Sequence, residues 1–256
     1  MRPPRPIAPA MPSSSLHGKS ALVTGGARRI GRAIALGLAR AGADVALTYR
    51  TSQNEAAQTA HAIEALGGRA LAVECDVRGE DSVQRAVDAC VAVFGRLDLL
   101  INNAAVFVSA PLEEIAVSEW DAVFATNARG PFLVARAALP HLRATQGRIV
   151  NIGSLGGLHA WPEHAHYCSS KAALHMLTQA MARAFAPEIS VNCVAPGSID
   201  PEGTDSSERA RHFAEKTPMK RNGRGEDVAE AVLFFATGPS FITGQILAVD
   251  GGLGLV

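Results

Sequence analysis

Tyr167 and Lys171 carry the most specific chemical signal in this sequence. The chain has only two tyrosines and four lysines, so a Tyr-x-x-x-Lys pattern is less expected by chance here than in an average protein. A spacing of four places both side chains on one face of a helix. A neighbouring ammonium favours the phenolate and lowers the pKa of tyrosine from its usual value of about 10. The pair therefore predicts a tyrosine that works as an acid or base near neutral pH.

A glycine-rich turn follows the first predicted strand. Residues 24–31 read Thr-Gly-Gly-Ala-Arg-Arg-Ile-Gly and lead into a segment whose apolar residues have helical spacing. Gly25 permits a tight turn, and Gly31 lets the helix approach the strand closely. The helix N-terminus offers unpaired N–H groups and a partial positive charge to a pyrophosphate. The turn therefore predicts a dinucleotide site.

The residues after the second predicted strand bear on the choice of cofactor. A carboxylate at this place binds the ribose hydroxyls of NAD and repels a 2′-phosphate. This chain has Tyr49, Arg50, Thr51 and Ser52 there, with no Asp or Glu. The Arg50 guanidinium and the two hydroxyls can hold a phosphate instead. The sequence therefore predicts NADPH/NADP+ as the cofactor.

Short apolar runs alternate with segments of helical spacing from Lys19 onward. The predicted strands are 21–23, 44–48, 70–74, 97–101, 148–152, 190–194 and 245–249. The predicted helices are 30–41, 55–66, 82–94, about 118–143 with an interruption near 130–131, 167–185 and 227–236. Strands that are apolar throughout are buried on both faces. The pattern predicts an α/β fold of the Rossmann type: a doubly wound, mostly parallel seven-stranded sheet with helices on both faces.

Three segments define the predicted domain organisation. Residues 1–18 begin with a stretch rich in Pro and Ser and predict a flexible tail, and residues 19–256 form a single catalytic domain. Residues 198–224 are polar, contain Pro and Gly, and exceed the length of an ordinary connection. We expect them to form a lid or loop over the substrate.

These motifs together resemble the short-chain dehydrogenase/reductase family over most of the chain, from Lys19 to Gly252. Arg29 replaces the middle glycine of the family's T-G-x-x-x-G-x-G turn. The Arg28-Arg29 pair is similar to the T-G-x-x-(K/R)-R-x-G variant of pteridine reductases. We expect these two guanidiniums and Arg50 to surround the phosphate site with no nearby carboxylate.

The resemblance implies a catalytic group of four residues. Ser154 would hydrogen-bond the substrate oxygen and Tyr167 would protonate it. Lys171 would hold the ribose and tune Tyr167, and Asn127 would position a water that relays protons to the lysine. The implied cofactor contacts are Gly25, Arg28, Arg29, Ile30, Gly31, Tyr49, Arg50, Thr51, Ser52, Asp76, Val77, Asn103, Ala104, Ala105, Tyr167, Lys171, Pro196 and Gly197.

Three functions are compatible with the sequence. The first is NADPH-dependent reduction of a small-molecule carbonyl, either as a general ketone reductase or similar to 3-oxoacyl-thioester reductases, whose C-terminal pattern resembles residues 249–252. The second is reduction of a pteridine or dihydropteridine, suggested by the turn, although protozoan pteridine reductases carry Asp where Ser154 stands. The third is a non-catalytic, nucleotide-sensing relative, which retention of the catalytic group argues against.

Composition bears on partners and compartment. The 24 basic and 24 acidic residues balance, which argues against nucleic acid or an anionic membrane as partner. The four cysteines lack metal-ligand spacing and are typical of reduced thiols in a cytoplasmic protein. His164 and His166 flank Glu163, but no further ligand spacing accompanies them, so no metal is expected. The family resemblance implies a homotetramer or dimer.

Overall fold

Seven parallel strands form one sheet in the order β3-β2-β1-β4-β5-β6-β7. The structure is a computed structural model that describes residues 15–256. The strands are β1 (Ser20–Val23), β2 (Asp44–Tyr49), β3 (Ala70–Glu74), β4 (Leu99–Asn102), β5 (Arg148–Ile152), β6 (Ser190–Pro196) and β7 (Ile246–Val249). The predicted doubly wound α/β fold is confirmed.

Helices cover both faces of the sheet. They are α1 (Arg29–Arg40), α2 (Gln53–Glu64), α3 (Glu80–Phe94), α4 (Val117–Phe124), α5 (Gly130–Thr145), α6 (Ala165–Phe185), α7 (Glu208–Lys216) and α8 (Gly225–Thr237). Apolar side chains of α1, α2 and α8 form the core on one face, and those of α3, α5 and α6 form it on the other. Leu22 and Val23 of β1 enter opposite cores, which explains the unbroken apolar runs. Among residues 15–256, no helix is both long and apolar enough to span a membrane.

The strand order places a crevice at the carboxyl edge of the sheet. β1 lies between β2 and β4, so the connections that leave β1 and β4 diverge to opposite sides. Val23 is level with Ile101, and Ile152 is level with Val194, so these strands end near one line. Ligands of doubly wound sheets bind at such a switch point.

The predicted long helix near Gly130 differs in detail from the structure. The chain does not break at Gly130-Pro131, because these residues begin α5. The α-helical hydrogen bonding changes earlier, in a π-helical turn at Ala125–Arg129 that joins α4 to α5. A π turn widens a helix locally and is common at functional sites.

The predicted lid contains a helix that we did not expect. α7 lies inside residues 198–224, and the Ser207 hydroxyl caps it by accepting from the N–H of Ala210 at 3.1 Å. Ala210 is its only buried residue, so the hydrophobic pattern was too weak to predict it. The base of the segment is closed by a bridge between Ile199 and Gly223.

The ordered domain includes residues that we assigned to the tail. Leu16 is 4% exposed, and its N–H donates to the Ala41 carbonyl at 2.7 Å. The tail predicted over residues 1–18 therefore extends too far, since Leu16 belongs to the core. Residues 1–14 lie outside the described part of the chain.

Candidate active site

The glycine-rich turn has the geometry of a close backbone approach. Gly25 has φ +63°, and its N–H donates to the Thr48 hydroxyl at 3.2 Å. A Cβ on Gly31 would lie 2.2 Å from the Gly25 carbonyl oxygen and 2.6 Å from Nδ2 of Asn103. Neither contact is sterically allowed, so Gly31 must be a glycine, while the positive φ at Gly25 favours one. Ile30 is half-buried and packs on the core beneath it.

Asn103 ties this turn to the end of β4. Its amide nitrogen donates to the carbonyls of Thr24 and Gly25, both at 3.0 Å. The Thr24 hydroxyl accepts from the N–H groups of Asn103 and Ala104 at 3.0 and 3.1 Å. Asn103 and Ala104 thus shape the crevice, and the Ala105 that follows is exposed.

Arg28 and Arg29 stand at the N-terminus of α1. Arg29 has φ +53°, a left-handed conformation that the glycine more usual in this turn adopts at little cost. Within residues 15–256, neither guanidinium pairs with a carboxylate, and the first turn of α1 carries no acidic side chain. Unpaired positive charge at a helix N-terminus fits the diphosphate of a dinucleotide.

The end of β2 supplies a second positive group. Arg50 is exposed directly after Tyr49, next to Thr51. Ser52 precedes α2, and its hydroxyl makes no capping bond, so it stays available to a ligand. This set of donors, without an acidic side chain, fits a 2′-phosphate better than a free ribose hydroxyl.

Asp76 corrects one expectation about this basic cluster. Both of its carboxylate oxygens accept from Arg78, the closest pair at 2.5 Å. These hydrogen bonds, and to a smaller extent the charge of Arg50, hold the pKa of Asp76 below its usual range. The expectation of no carboxylate near Arg50 is therefore wrong, because Asp76 lies within electrostatic range. Val77, next to it, is buried against Gly130.

The three predicted catalytic side chains of β5 and α6 meet at the same edge. Ser154 follows β5 and is 4% exposed, and its Oγ accepts from the N–H of Gly156 at 3.0 Å. Tyr167 is the third residue of α6 and is half-buried near Ser154. Lys171 is buried one turn later, and its Nζ donates to the Ile152 carbonyl at 2.8 Å.

The pKa of Tyr167 differs from the prediction. Burial raises the pKa of Tyr167, and a hydrogen bond with Ser154 only opposes that change. Burial also lowers the pKa of Lys171 to about 8. The expectation that Lys171 lowers the Tyr167 pKa is thus wrong for this structure. Its Nζ lies 5.8 Å from the Tyr167 ring centroid, and desolvation of the phenol dominates.

Asn127 lies in the π turn and is fully buried. Its amide oxygen accepts from the Val106 N–H at 2.9 Å, and its amide nitrogen donates to the Val106 carbonyl and to the Ser170 hydroxyl. The side chain therefore holds the loop after β4 against α6. The predicted water relay through Asn127 stays a prediction.

The end of β6 lies close to the C-terminal segment. Pro196 ends the strand, and the Gly197 N–H donates to the Val249 carbonyl at 3.0 Å. A Cβ on Gly197 would lie 2.6 Å from Cβ of Asp250. The predicted Pro-Gly turn is therefore packed at the same edge of the sheet as Ser154.

An aromatic cluster surrounds Tyr167. The Phe107 ring is 52% exposed and meets the Tyr167 ring edge-on at 4.7 Å. Trp161 stacks on Tyr167 at 6.4 Å, and His164 stacks on Phe107 at 4.7 Å. We did not predict Phe107; its signal was an aromatic residue shortly after the carboxyl end of β4. These rings form an apolar wall beside the phenol, which suits the organic part of a substrate.

The histidines of the H-x-H pattern bind protein groups. His164 Nδ1 lies 3.0 Å from the Val108 carbonyl oxygen, and His166 Nε2 lies 2.9 Å from a Glu119 carboxylate oxygen. In the part of the chain that the structure describes, no group of three or more side chains has the arrangement of a metal site.

His175 is a buried residue that the sequence analysis missed. It lies four residues after Lys171 on α6 and is 5% exposed. Burial, and next the charge of Lys171, lower the pKa of His175 to about 4. The signal for His175 in the sequence was its position eight residues after Tyr167, but only the packing shows which residues the imidazole contacts.

We expect His175 to make folding stability fall as the pH falls from about 6.5 to about 4. Its pKa is about 4 when folded and about 6.5 when unfolded, so in this window the unfolded chain binds the proton. The contribution of His175 to the free energy of unfolding amounts to about 3 kcal/mol. It is fully present above pH 6.5 and is lost as the pH falls to about 4. Urea unfolding of the wild type and His175→Gln at pH 7 and pH 5 measures it. His61→Gln, at an exposed site, is the control; equal pH slopes for wild type and His175→Gln would contradict the prediction.

Several known proteins are similar to this chain in sequence. Residues 25–254 match a family model described as enoyl-(acyl carrier protein) reductase. The chain is 39% identical over 240 residues to 3-oxoacyl-(acyl-carrier-protein) reductase of Staphylococcus aureus, a match that covers 92% of this chain and 98% of the relative.

Two crystal structures show the same fold. A dehydrogenase/reductase from Sinorhizobium meliloti has a TM-score of 0.90 and 41% identity, over 95% of this chain and 98% of that chain. A gluconate 5-dehydrogenase from Burkholderia cenocepacia, in complex with NADP and tartrate, has a TM-score of 0.89 and 34% identity, over 96% and 99%.

Proposed function

We propose that this chain, which belongs to the short-chain dehydrogenase/reductase family, is an NADPH-dependent oxidoreductase that reduces a carbonyl group of a small molecule. One observation carries the proposal: Tyr167, Ser154 and Lys171 converge at the carboxyl edge of the sheet that also holds the glycine-rich turn. A hydrogen-bonded phenol beside a buried ammonium is suited to proton transfer to an oxygen.

The chain's own residues account for the proton side of the reaction. A bound nicotinamide supplies the hydride to the carbonyl carbon. The Ser154 oxygen accepts from Gly156, which leaves its proton to hold the substrate oxygen. Tyr167 then gives its phenolic proton to that oxygen, and the burial that raises its pKa keeps it protonated beforehand. Lys171, whose Nζ is fixed on the Ile152 carbonyl, would hold the ribose of the bound cofactor.

The preference for NADPH rests on the end of β2. Arg50 and the Ser52 hydroxyl, which makes no capping bond, stand at this strand end and are the donors that would hold a 2′-phosphate. A relative of the same fold binds NADP. Asp76 does not cancel the positive charge of Arg50, because its carboxylate is already paired with Arg78.

Arg50→Ala is expected to weaken the use of NADPH and leave the use of NADH nearly unchanged. Loss of a charge-assisted contact with a phosphate costs about 1.5–3 kcal/mol, or about 10- to 100-fold in kcat/KM for NADPH. Arg143→Ala, at an exposed site in the last turn of α5, is the control. Comparable kcat/KM for NADPH and NADH in the wild type would refute the cofactor assignment.

A second candidate function, pteridine reduction, is favoured by one observation. The half-exposed Phe107 ring beside Tyr167 offers a flat surface to a flat heterocycle. The resemblance of Arg28-Arg29 to the turn variant of pteridine reductases is what suggested this function from the sequence. Ser154 favours the carbonyl, because a serine holds a neutral oxygen and is a poor proton donor to a ring nitrogen.

A single assay separates the candidates. NADPH oxidation is followed with 2,3-butanedione, an acetoacetyl thioester and dihydrobiopterin. Turnover of either carbonyl compound supports the proposal, and turnover of dihydrobiopterin alone establishes the second function. NADPH binding without turnover of any of the three would instead indicate a nucleotide-sensing protein.

A further inference from the structure

His175 is the third residue on the face of α6 that carries Tyr167 and Lys171. The spacing of four and eight residues keeps these side chains on one side of the helix. All three contact the segment at the end of β5. The Ser154 hydroxyl lies close enough to Tyr167 to oppose the rise in the pKa of the phenol, and Lys171 Nζ donates to the Ile152 carbonyl.

The segment that contains Ser154 packs closely around the His175 ring. A Cβ on Gly153 would lie 2.3 Å from Nε2 of His175, and a Cβ on Gly157 would lie 2.6 Å from Cε1. Only glycine therefore fits on either side of residues 154–156. The imidazole occupies the space that these two glycines leave open.

The hydrogen bonds of His175 define its protonation. The Ser154 N–H donates to Nε2 at 3.5 Å, so Nε2 is an acceptor and a neutral ring carries its proton on Nδ1. The depressed pKa agrees with a neutral ring. Nδ1 is buried beside Gly157, whose backbone opposes the lowering of the His175 pKa by burial.

We propose that His175 is a positioning residue for the reductase reaction: its Nε2 holds the Ser154 main chain and thereby aims the Ser154 hydroxyl at the substrate oxygen. The inference rests on the proposed function. α6 carries Tyr167 and Lys171 and, through His175, also fixes Ser154. The phenol that donates the proton and the hydroxyl that holds the substrate oxygen therefore keep a constant position relative to each other.

The test compares His175→Leu with His175→Gln. Leucine fills the space without an acceptor, whereas the glutamine carbonyl can take the place of Nε2. We expect His175→Leu to lower kcat about 10- to 100-fold, since misplacement of a positioned group by about 1 Å has effects of this size. KM and the Kd of NADPH should stay within about threefold, and His175→Gln should recover kcat to within about fivefold of the wild type.

Deuterium uptake tests the contact without turnover. The peptide that covers residues 152–158 should exchange faster in His175→Leu and at a near wild-type rate in His175→Gln. Met181→Ala, a buried change further along α6 in the core that this helix shares with α3 and α5, controls for loss of stability. It should lower the Tm and leave both kcat and exchange in residues 152–158 unchanged.

Three results would overturn the proposal. They are wild-type kcat and exchange in His175→Leu, equal impairment in the Gln and Leu variants, or the same pattern in Met181→Ala. If the wild type reduces no carbonyl compound, the proposed function fails. Exchange in residues 152–158 still decides whether His175 holds the serine segment.

Discussion

Tyr167→Phe is expected to lower kcat about a thousand-fold and to leave NADPH affinity nearly unchanged. A positioned general acid contributes about 10²- to 10⁴-fold, and phenylalanine removes only the oxygen that donates the proton. The ring still packs on Phe107 at 4.7 Å and on Trp161 at 6.4 Å, so the variant keeps the aromatic cluster. The loss therefore falls on the chemical step.

Steady-state reduction of a carbonyl substrate, with NADPH binding followed by fluorescence, measures both quantities. Ser169→Ala is the matched control, because it removes an exposed hydroxyl from the same turn of α6. Wild-type turnover by Tyr167→Phe would remove the central claim. Equal losses of turnover and NADPH affinity would show that Tyr167 serves binding instead.

Gly31→Ala is expected to abolish tight NADPH binding and to destabilise the fold. The new methyl group would meet the Gly25 carbonyl oxygen at 2.2 Å and Nδ2 of Asn103 at 2.6 Å. Gly25 belongs to the turn that we expect to approach the dinucleotide, and Asn103 holds that turn to the end of β4. The turn must therefore shift to accept the methyl group. Overpacking of this kind costs about 1–3 kcal/mol in stability. We expect at least about 100-fold weaker NADPH binding, because displaced N–H groups lose several charge-assisted contacts at once.

Gly79→Ala provides the control for the second prediction. Gly79 precedes α3 with φ −107°, and its Cβ would come no closer than 3.8 Å to another atom. Isothermal calorimetry with NADPH and urea unfolding are measured on both variants. Near wild-type NADPH affinity in Gly31→Ala would show that the turn does not approach the cofactor closely.

Local patterns were sufficient for the architecture and for most of the site. The unbroken apolar runs reflect strands buried on both faces, and this needs no knowledge of the partner strands. Tyr167 and Lys171 share a face because helical spacing is a property of neighbouring residues. The positive φ of Gly25 and the close approach of Gly31 to the Gly25 carbonyl are equally local, although Asn103 and Ala104 add to the crowding.

The structural features that the sequence did not predict either leave a weak pattern in the sequence or depend on residues far apart in the chain. α7 has nine residues, is mostly polar and buries only Ala210, so its sequence offers too few apolar residues to identify a helix. The π turn at 125–129 arises where Asn127 bonds to the loop after β4 and to Ser170, and these partners lie 21 and 43 residues away. The pKa of Tyr167 depends on how much of the phenol is buried, which no spacing reveals.

The sequence by itself determined a doubly wound sheet, a glycine-rich turn with extra positive charge, and a tyrosine and lysine on one helix. These follow from interactions between residues close in the chain. Only the tertiary structure decided that Phe107 and Trp161 wall the phenol, that Arg78 pairs with Asp76, and that His175 supports Ser154. The aromatic wall and the histidine depend on separate segments packed at one edge of the sheet. The Arg78–Asp76 pair, although only two residues apart, depends on side-chain orientation that residue spacing leaves open.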